Sequence, residues 1–204
     1  MDCSASWQFV VDAIGADWRF VAPDWRGFGL SDWATDGVYG YQDYVADLDA
    51  IATICAKDDG VCVVGHSMGG NIASLYASVR PERVKAVVNV EGFGLRARAA
   101  SEAPDVLRTD PGHNRVWPQI YRLDEAQAHW ARIRVPYLWV EADESQNAAR
   151  HGISSGELDL RRDSVPGAAR AMVRGAGHMA HLEQPGQVAA LIERFLIGSV
   201  PGVG

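Results

Sequence analysis

The pentapeptide Gly65-His66-Ser67-Met68-Gly69, followed by Gly70, fits the pattern G-x-S-x-G. It stands between the apolar run VCVV at 61–64 and a stretch with helical periodicity at 68–79, that is, between a strand and a helix. A sharp strand-to-helix turn forces its middle residue into a strained backbone conformation and lifts that hydroxyl off the sheet. Gly65 and Gly69 carry no Cβ, so strand and helix are expected to approach closely there. The first turn of the helix leaves backbone N–H groups free, and that of Met68 is expected where an oxyanion would form. Ser67 is therefore the candidate nucleophile and Met68 the candidate oxyanion donor. A capping serine in a glycine-rich turn is the bland alternative.

A serine nucleophile needs a base to take its proton and a group to orient that base. On a strand–turn–helix scaffold they follow in the order serine, acid, histidine. His178 ends the run Gly175-Ala176-Gly177-His178, just beyond a weak strand, ARAMV, at 169–173. His181 lacks flanking glycines, and His66 lies inside the turn, where packing or a hydrogen bond is its simpler role. His178-x-x-His181 offers two metal-type ligands and no third. Four carboxylates compete for the acid. Glu141, Asp143 and Glu144 follow the strand PYLWV at 136–140, and Glu91 follows the strand KAVVNV at 85–90. The C-terminal ends of strands are where open α/β sheets place functional groups. Asp143 is the favoured acid and Glu91 its serious rival.

Positioning these groups requires a sheet of buried strands alternating with amphipathic helices. Helical spacing is read at 6–14, 41–57, 68–79 and 187–196, and a further short strand, RFVA, at 19–22. The strands are apolar on both faces, which implies a mostly parallel sheet in an α/β sandwich of three layers. Residues 96–133 break the alternation: a polar first part is followed by the helical RLDEAQAHWARI, with Asp124 a possible N-cap. One domain over 1–204 with this short insertion is the expected organisation.

Composition narrows the function classes. The 204 residues are 48% hydrophobic, enough for a core, and Lys+Arg 19 against Asp+Glu 26 leaves a net charge of −7. That acidity argues against nucleic acid and polybasic membrane contact. No apolar run approaches the roughly 18 residues of a membrane span, and the start MDCSASWQF has no secretory pattern. Cys3, Cys55 and Cys62 read as reduced thiols, which suggests a cytoplasmic setting.

The pieces PDWRGFGLSD (with Asp24, Arg26, Gly27, Gly29 and Ser31), VGHSMGGNIA, VNVEGFG, PYLWVEADES and GAGHMAHLEQP recur along most of the chain. In that order they resemble the α/β-hydrolase fold family, of the esterase, epoxide hydrolase and haloalkane dehalogenase kind. The resemblance implies Ser67 as nucleophile, Asp143 as acid and His178 as base, with no cofactor or metal. Serine at 67, where epoxide hydrolases and dehalogenases of the family carry aspartate, favours esters, thioesters or activated C–C bonds. A small acyl ester is the expected substrate. The loop 24–31 is read as structural.

Two departures accompany the resemblance. Family members begin with three more strands and a His-Gly motif that supplies a second oxyanion donor; here the chain starts beyond that motif. RFVA then lacks its neighbour on the side facing VCVV. It shifts to pair with VCVV, or another chain fills the gap, or the chain is a fragment; an open edge of this kind invites a homodimer. The lid is also short, so Trp117, Tyr121 and Trp130 are candidates to wall a shallow pocket. A non-catalytic, truncated relative that binds a partner at the open edge is the rival to the enzyme.

Overall fold

The computed structural model describes residues 3–35, 39–56, 59–94 and 123–201. Its centre is a four-stranded parallel sheet made of β1 (Val61–His66), β2 (Val84–Val90), β3 (Tyr137–Ala142) and β4 (Ala169–Val173), in the order β1-β2-β3-β4. The main helices are α1 (Gln8–Ala13), α2 (Tyr41–Ala56), α3 (Met68–Val79), α4 (Leu123–Trp130) and α6 (Ser155–Asp163), with α8 (Pro185–Ser199) closing the fold. Two single-turn helices, α5 (Asn147–Arg150) and α7 (Ala180–Glu183), sit beyond β3 and β4.

Side-chain alternation along the strands builds two cores, one on each face. Val87, Tyr137 and Trp139 face a cluster that includes Tyr44 and Leu48 of α2 and Ile72 and Tyr76 of α3. Ala86, Val88, Val90, Leu138 and Val140 face the opposite cluster, with Val10 of α1 and Val188, Ile192 and Leu196 of α8. Helices thus cover both faces, the α/β sandwich expected from doubly apolar strands. Helix α3 runs through the middle, and every residue from Gly70 to Ser78 is buried.

The sheet explains one failed expectation. RFVA at 19–22 forms no strand, and Phe20 and Val21 are exposed. A strand exists only through its ladder, and among the described residues β1 pairs with β2 alone. The free edge of β1 instead borders a cavity of about 1430 Å³ that reaches Phe20 on its far side. In the insertion, α4 confirms a helix, but Asp124 lies in its first turn and is not its cap. Trp130 is buried and meets Trp139 edge-on at 5.9 Å, so it is core rather than pocket wall. Trp117 and Tyr121, with most of the insertion, lie outside the described residues.

The turn between β1 and α3 needs only some of its glycines. A Cβ on Gly65 would stand 2.3 Å from the Gly69 backbone, and one on Gly70 would stand 2.1 Å from Asn89 Oδ1. A Cβ on Gly69 meets nothing within 4 Å, so the close approach expected at both glycines depends on the missing Cβ of Gly65 and not on that of Gly69. Gly65→Ala is therefore expected to cost about 3 kcal/mol or more. Gly69→Ala should stay within about 0.5 kcal/mol of the parent or exceed it. Urea unfolding of the two variants measures the difference.

Candidate active site

Ser67 stands between β1 and α3 with φ 52° and ψ −115°, a conformation that L-residues adopt only when the surroundings enforce it. The enforcement is visible: the Ser67 N–H donates to Val90 O at 2.8 Å, and its carbonyl accepts the Asn71 N–H at 3.1 Å. Met68 follows as the first residue of α3. Its N–H belongs to the first turn, where the helix offers no acceptor.

His178 lies in the turn between β4 and α7, and its imidazole joins two elements. Nε2 is 3.1 Å from Ser67 Oγ, and Nδ1 is 3.1 Å from Glu91 Oε2. A carboxylate only accepts, so the proton sits on Nδ1 and Nε2 is left to accept the serine hydroxyl. The imidazole keeps 29% of its side-chain surface, whereas the Glu91 side chain has none exposed. Glu91 is the second non-glycine residue with positive φ, 56°, in the turn that ends β2. Its carboxylate is fully engaged: Oε1 accepts the Ala142 N–H at 2.8 Å, and Oε2 accepts Ser145 Oγ–H at 2.5 Å as well as His178.

The favoured acid is elsewhere. Asp143 Oδ1 accepts the Gly175 N–H at 2.8 Å, and Oδ2 lies 3.6 Å from Arg174. Its own N–H continues the ladder to Val173 O, which aims its side chain at the backbone of the His178 turn and not at the imidazole. Glu91 occupies the orienting position instead, because the left-handed turn after Val90 folds its side chain under His178. Glu141 is held by Arg162, and Glu144 uses its backbone to bond Ala176 O. His181 is buried, 3.3 Å from Ser6 Oγ and stacked on Trp7 at 4.9 Å. The loop 24–31 is tied together by its own hydrogen bonds, and Trp25 and Phe28 within it line the cavity beside β1. Asp24 accepts the Ser4 and Leu30 N–H groups at 2.7 and 2.8 Å. Burial alone would raise its pKa, but those two bonds, together with one from the Ser4 side chain, outweigh it and hold the carboxyl below its usual range.

Two supports went unrecognised in the sequence. Ser145 clamps the Glu91 carboxylate, and Asn89 ties the turn after β2 through Gly92 N, Gly92 O and Tyr137 Oη at 2.8–2.9 Å. Their only signal was place: Ser145 is two residues beyond Asp143, and Asn89 two before Glu91. Ser67, Met68 and Glu91 line the cavity beside β1, with Phe93, His151 and Ile153 among its walls.

A family model described as alpha/beta hydrolase fold matches residues 1–143. The chain belongs to the α/β-hydrolase fold family. Among its curated relatives, the chain is 30% identical over 146 residues to the serine hydrolase-like protein of Danio rerio, covering 67% of this chain and 44% of that protein. It is 32% identical over 142 residues to lipase LipV of Mycobacterium tuberculosis, covering 68% and 52%. The chain thus spans about half the length of these relatives. A thermophilic esterase from Thermogutta terrifontis superposes with a TM-score of 0.80 at 16% identity, over 97% of this chain and 86% of that one, and shares the fold. No described helix is long and apolar enough to cross a membrane.

One titration follows from the geometry. Burial first, then the neighbouring His181 and His178, hold the pKa of His66 well below 6.5. The folded chain keeps this imidazole neutral, while the unfolded chain takes up a proton once the pH drops under 6.5. Stability from this residue is therefore present above that pH and lost as the pH falls towards the folded pKa. Between pH 7.5 and 5.5 the parent should lose up to about 1.4 kcal/mol more than His66→Gln in denaturant unfolding.

Proposed function

We propose that this chain is a serine hydrolase that cleaves small acyl esters through an acyl-enzyme intermediate, with Ser67, His178 and Glu91 as its triad. One observation carries the reading: a single imidazole lies 3.1 Å from the strained serine hydroxyl and 3.1 Å from a buried carboxylate. Those are the distances over which a proton moves between a nucleophile and its base. The hydrolase names of the relatives support the same reaction class.

In the first half-reaction His178 Nε2 takes the proton of Ser67 as Oγ attacks the ester carbonyl. The Met68 N–H stabilises the tetrahedral oxyanion. Glu91 holds the Nδ1–H tautomer and faces the imidazolium as it forms, so the charge created on His178 has a fixed counter-charge. The imidazolium then gives its proton to the departing alkoxide. In the second half-reaction His178 takes a proton from water, which attacks the acyl carbonyl, and the imidazolium returns that proton to Ser67 Oγ as the acyl C–O bond breaks and the acid leaves. Asp143, by anchoring Gly175, serves the reaction through the backbone that carries the base.

Hydrolysis of p-nitrophenyl butyrate tests the reading and the division of labour between the acids. Ser67→Ala should lower kcat by at least about 10³-fold, and Glu91→Gln by about 10³–10⁴-fold. Asp143→Asn should cost less than about tenfold. Equal turnover by the parent and Ser67→Ala removes the serine mechanism. A larger loss for Asp143→Asn than for Glu91→Gln returns the acid role to Asp143.

A further inference from the structure

The turn that carries the base is built from separate tethers. Regular pairing of β4 ends at Val173. Beyond it, the Gly175 N–H bonds Asp143, the Gly175 carbonyl accepts Gln184 Nε2, and the Ala176 carbonyl accepts the Glu144 N–H. The Gly177 N–H bonds Glu183 at 2.9 Å. With the Arg174 N–H and carbonyl, which bond the Gln187 side chain at 3.0 Å, these ties lead to the end of β3 or to the segment 183–187. None of them references the serine.

One more tie does. His66 Nε2 lies 2.6 Å from the main-chain oxygen of His178. A carbonyl oxygen only accepts, so His66 must carry its proton on Nε2. His66 is the last residue of β1 and immediately precedes Ser67. The bond therefore runs from the nucleophile's own turn to the backbone of the base. The ring that makes it is itself fixed. It lies 4.7 Å from the His178 ring and 4.4 Å from the His181 ring, and His181 is held by Ser6 and Trp7.

We propose that His66 is a positioning residue: its bond to the His178 carbonyl sets the separation between the Ser67 hydroxyl and the imidazole that serves it. This rests on the serine-hydrolase reading above. Without the bond, the turn stays anchored to β3 and to 183–187, but no other main-chain tie among the described residues refers the His178 backbone to the Ser67 turn. A displacement of about 1 Å between reacting groups is enough to cost on the order of 10²-fold in rate. Substrate contacts are not touched, so the loss belongs in kcat and not in KM.

Two variants and one spectrum test this. His66→Leu removes the donor, and His66→Gln keeps an N–H₂ at similar reach. Relative to the parent, His66→Leu should lower kcat for p-nitrophenyl butyrate by about 10- to 100-fold, with KM changed by less than about twofold. His66→Gln should recover kcat to within about fivefold of the parent. Long-range ¹H–¹⁵N spectra of the parent should show His66 protonated on Nε2 and bare on Nδ1. The proposal is overturned if His66→Leu keeps the parent kcat, if folded His66→Gln is as slow as folded His66→Leu, if both variants fail to fold, or if His66 is the Nδ1–H tautomer. A parent with no Ser67-dependent turnover sinks the hydrolase reading instead. The tautomer spectrum then still decides whether the His66 tie exists.

Discussion

A carboxylate stripped of water must be matched by donors, and the site of this protein is organised around that requirement. Glu91 has no exposed side-chain surface. Leaving such a charge unpaired would cost several kcal/mol, comparable with the whole net stability of a domain of this size. Three donors from three places meet it: a backbone N–H at the end of β3, the Ser145 hydroxyl and the His178 imidazole. Satisfying the charge therefore fixes the ends of β2 and β3 and the turn after β4 against one another. The same need holds His178 in the tautomer that leaves Nε2 open to Ser67. The Ser67–His178–Glu91 geometry is a by-product of solving a burial problem.

Among the described residues other than glycine, the two with positive φ, Ser67 and Glu91, stand at the ends of neighbouring strands. Each is worth about 1–3 kcal/mol of strain, and each persists because its surroundings leave no alternative. At Ser67 the constraint is the close passage of β1 over the start of α3, seen at Gly65, and the bond to Val90 O. At Glu91 it is the Asn89 network, which closes the following turn on Gly92 and draws in Tyr137. The Val90 carbonyl ties the first turn to the residue just before the second, so the two strained positions are mechanically linked.

Much of this was legible from residue types. Runs such as VCVV and KAVVNV can be stable only with both faces covered, which dictates a parallel sheet between helices, and Ser67 and His178 were readable as residues beyond strand ends, which the structure brings to 3.1 Å of each other. Other parts were not legible, for physical reasons. RFVA has strand-forming side chains, but a strand is a relation between two chains of hydrogen bonds and no described segment offers it that relation. Helix α6 is too polar to show an apolar stripe, although Ser154, which accepts the Glu157 N–H, starts it with a readable capping pattern. The choice between Asp143 and Glu91 was hidden because spacing puts both at the same rim. Which one turns under the imidazole is decided by a single backbone angle at position 91 and by the ladder bond that commits Asp143 to the other side.

The central claim is that Ser67 is a nucleophile made reactive by His178. A fluorophosphonate reacts only with such a serine, and it reads the hydroxyl itself, independent of substrate preference. Labelling the folded protein and mapping the adduct by peptide mass spectrometry should place one phosphonyl group on Ser67. A folded chain that stays unlabelled, or one labelled at another residue, contradicts the account.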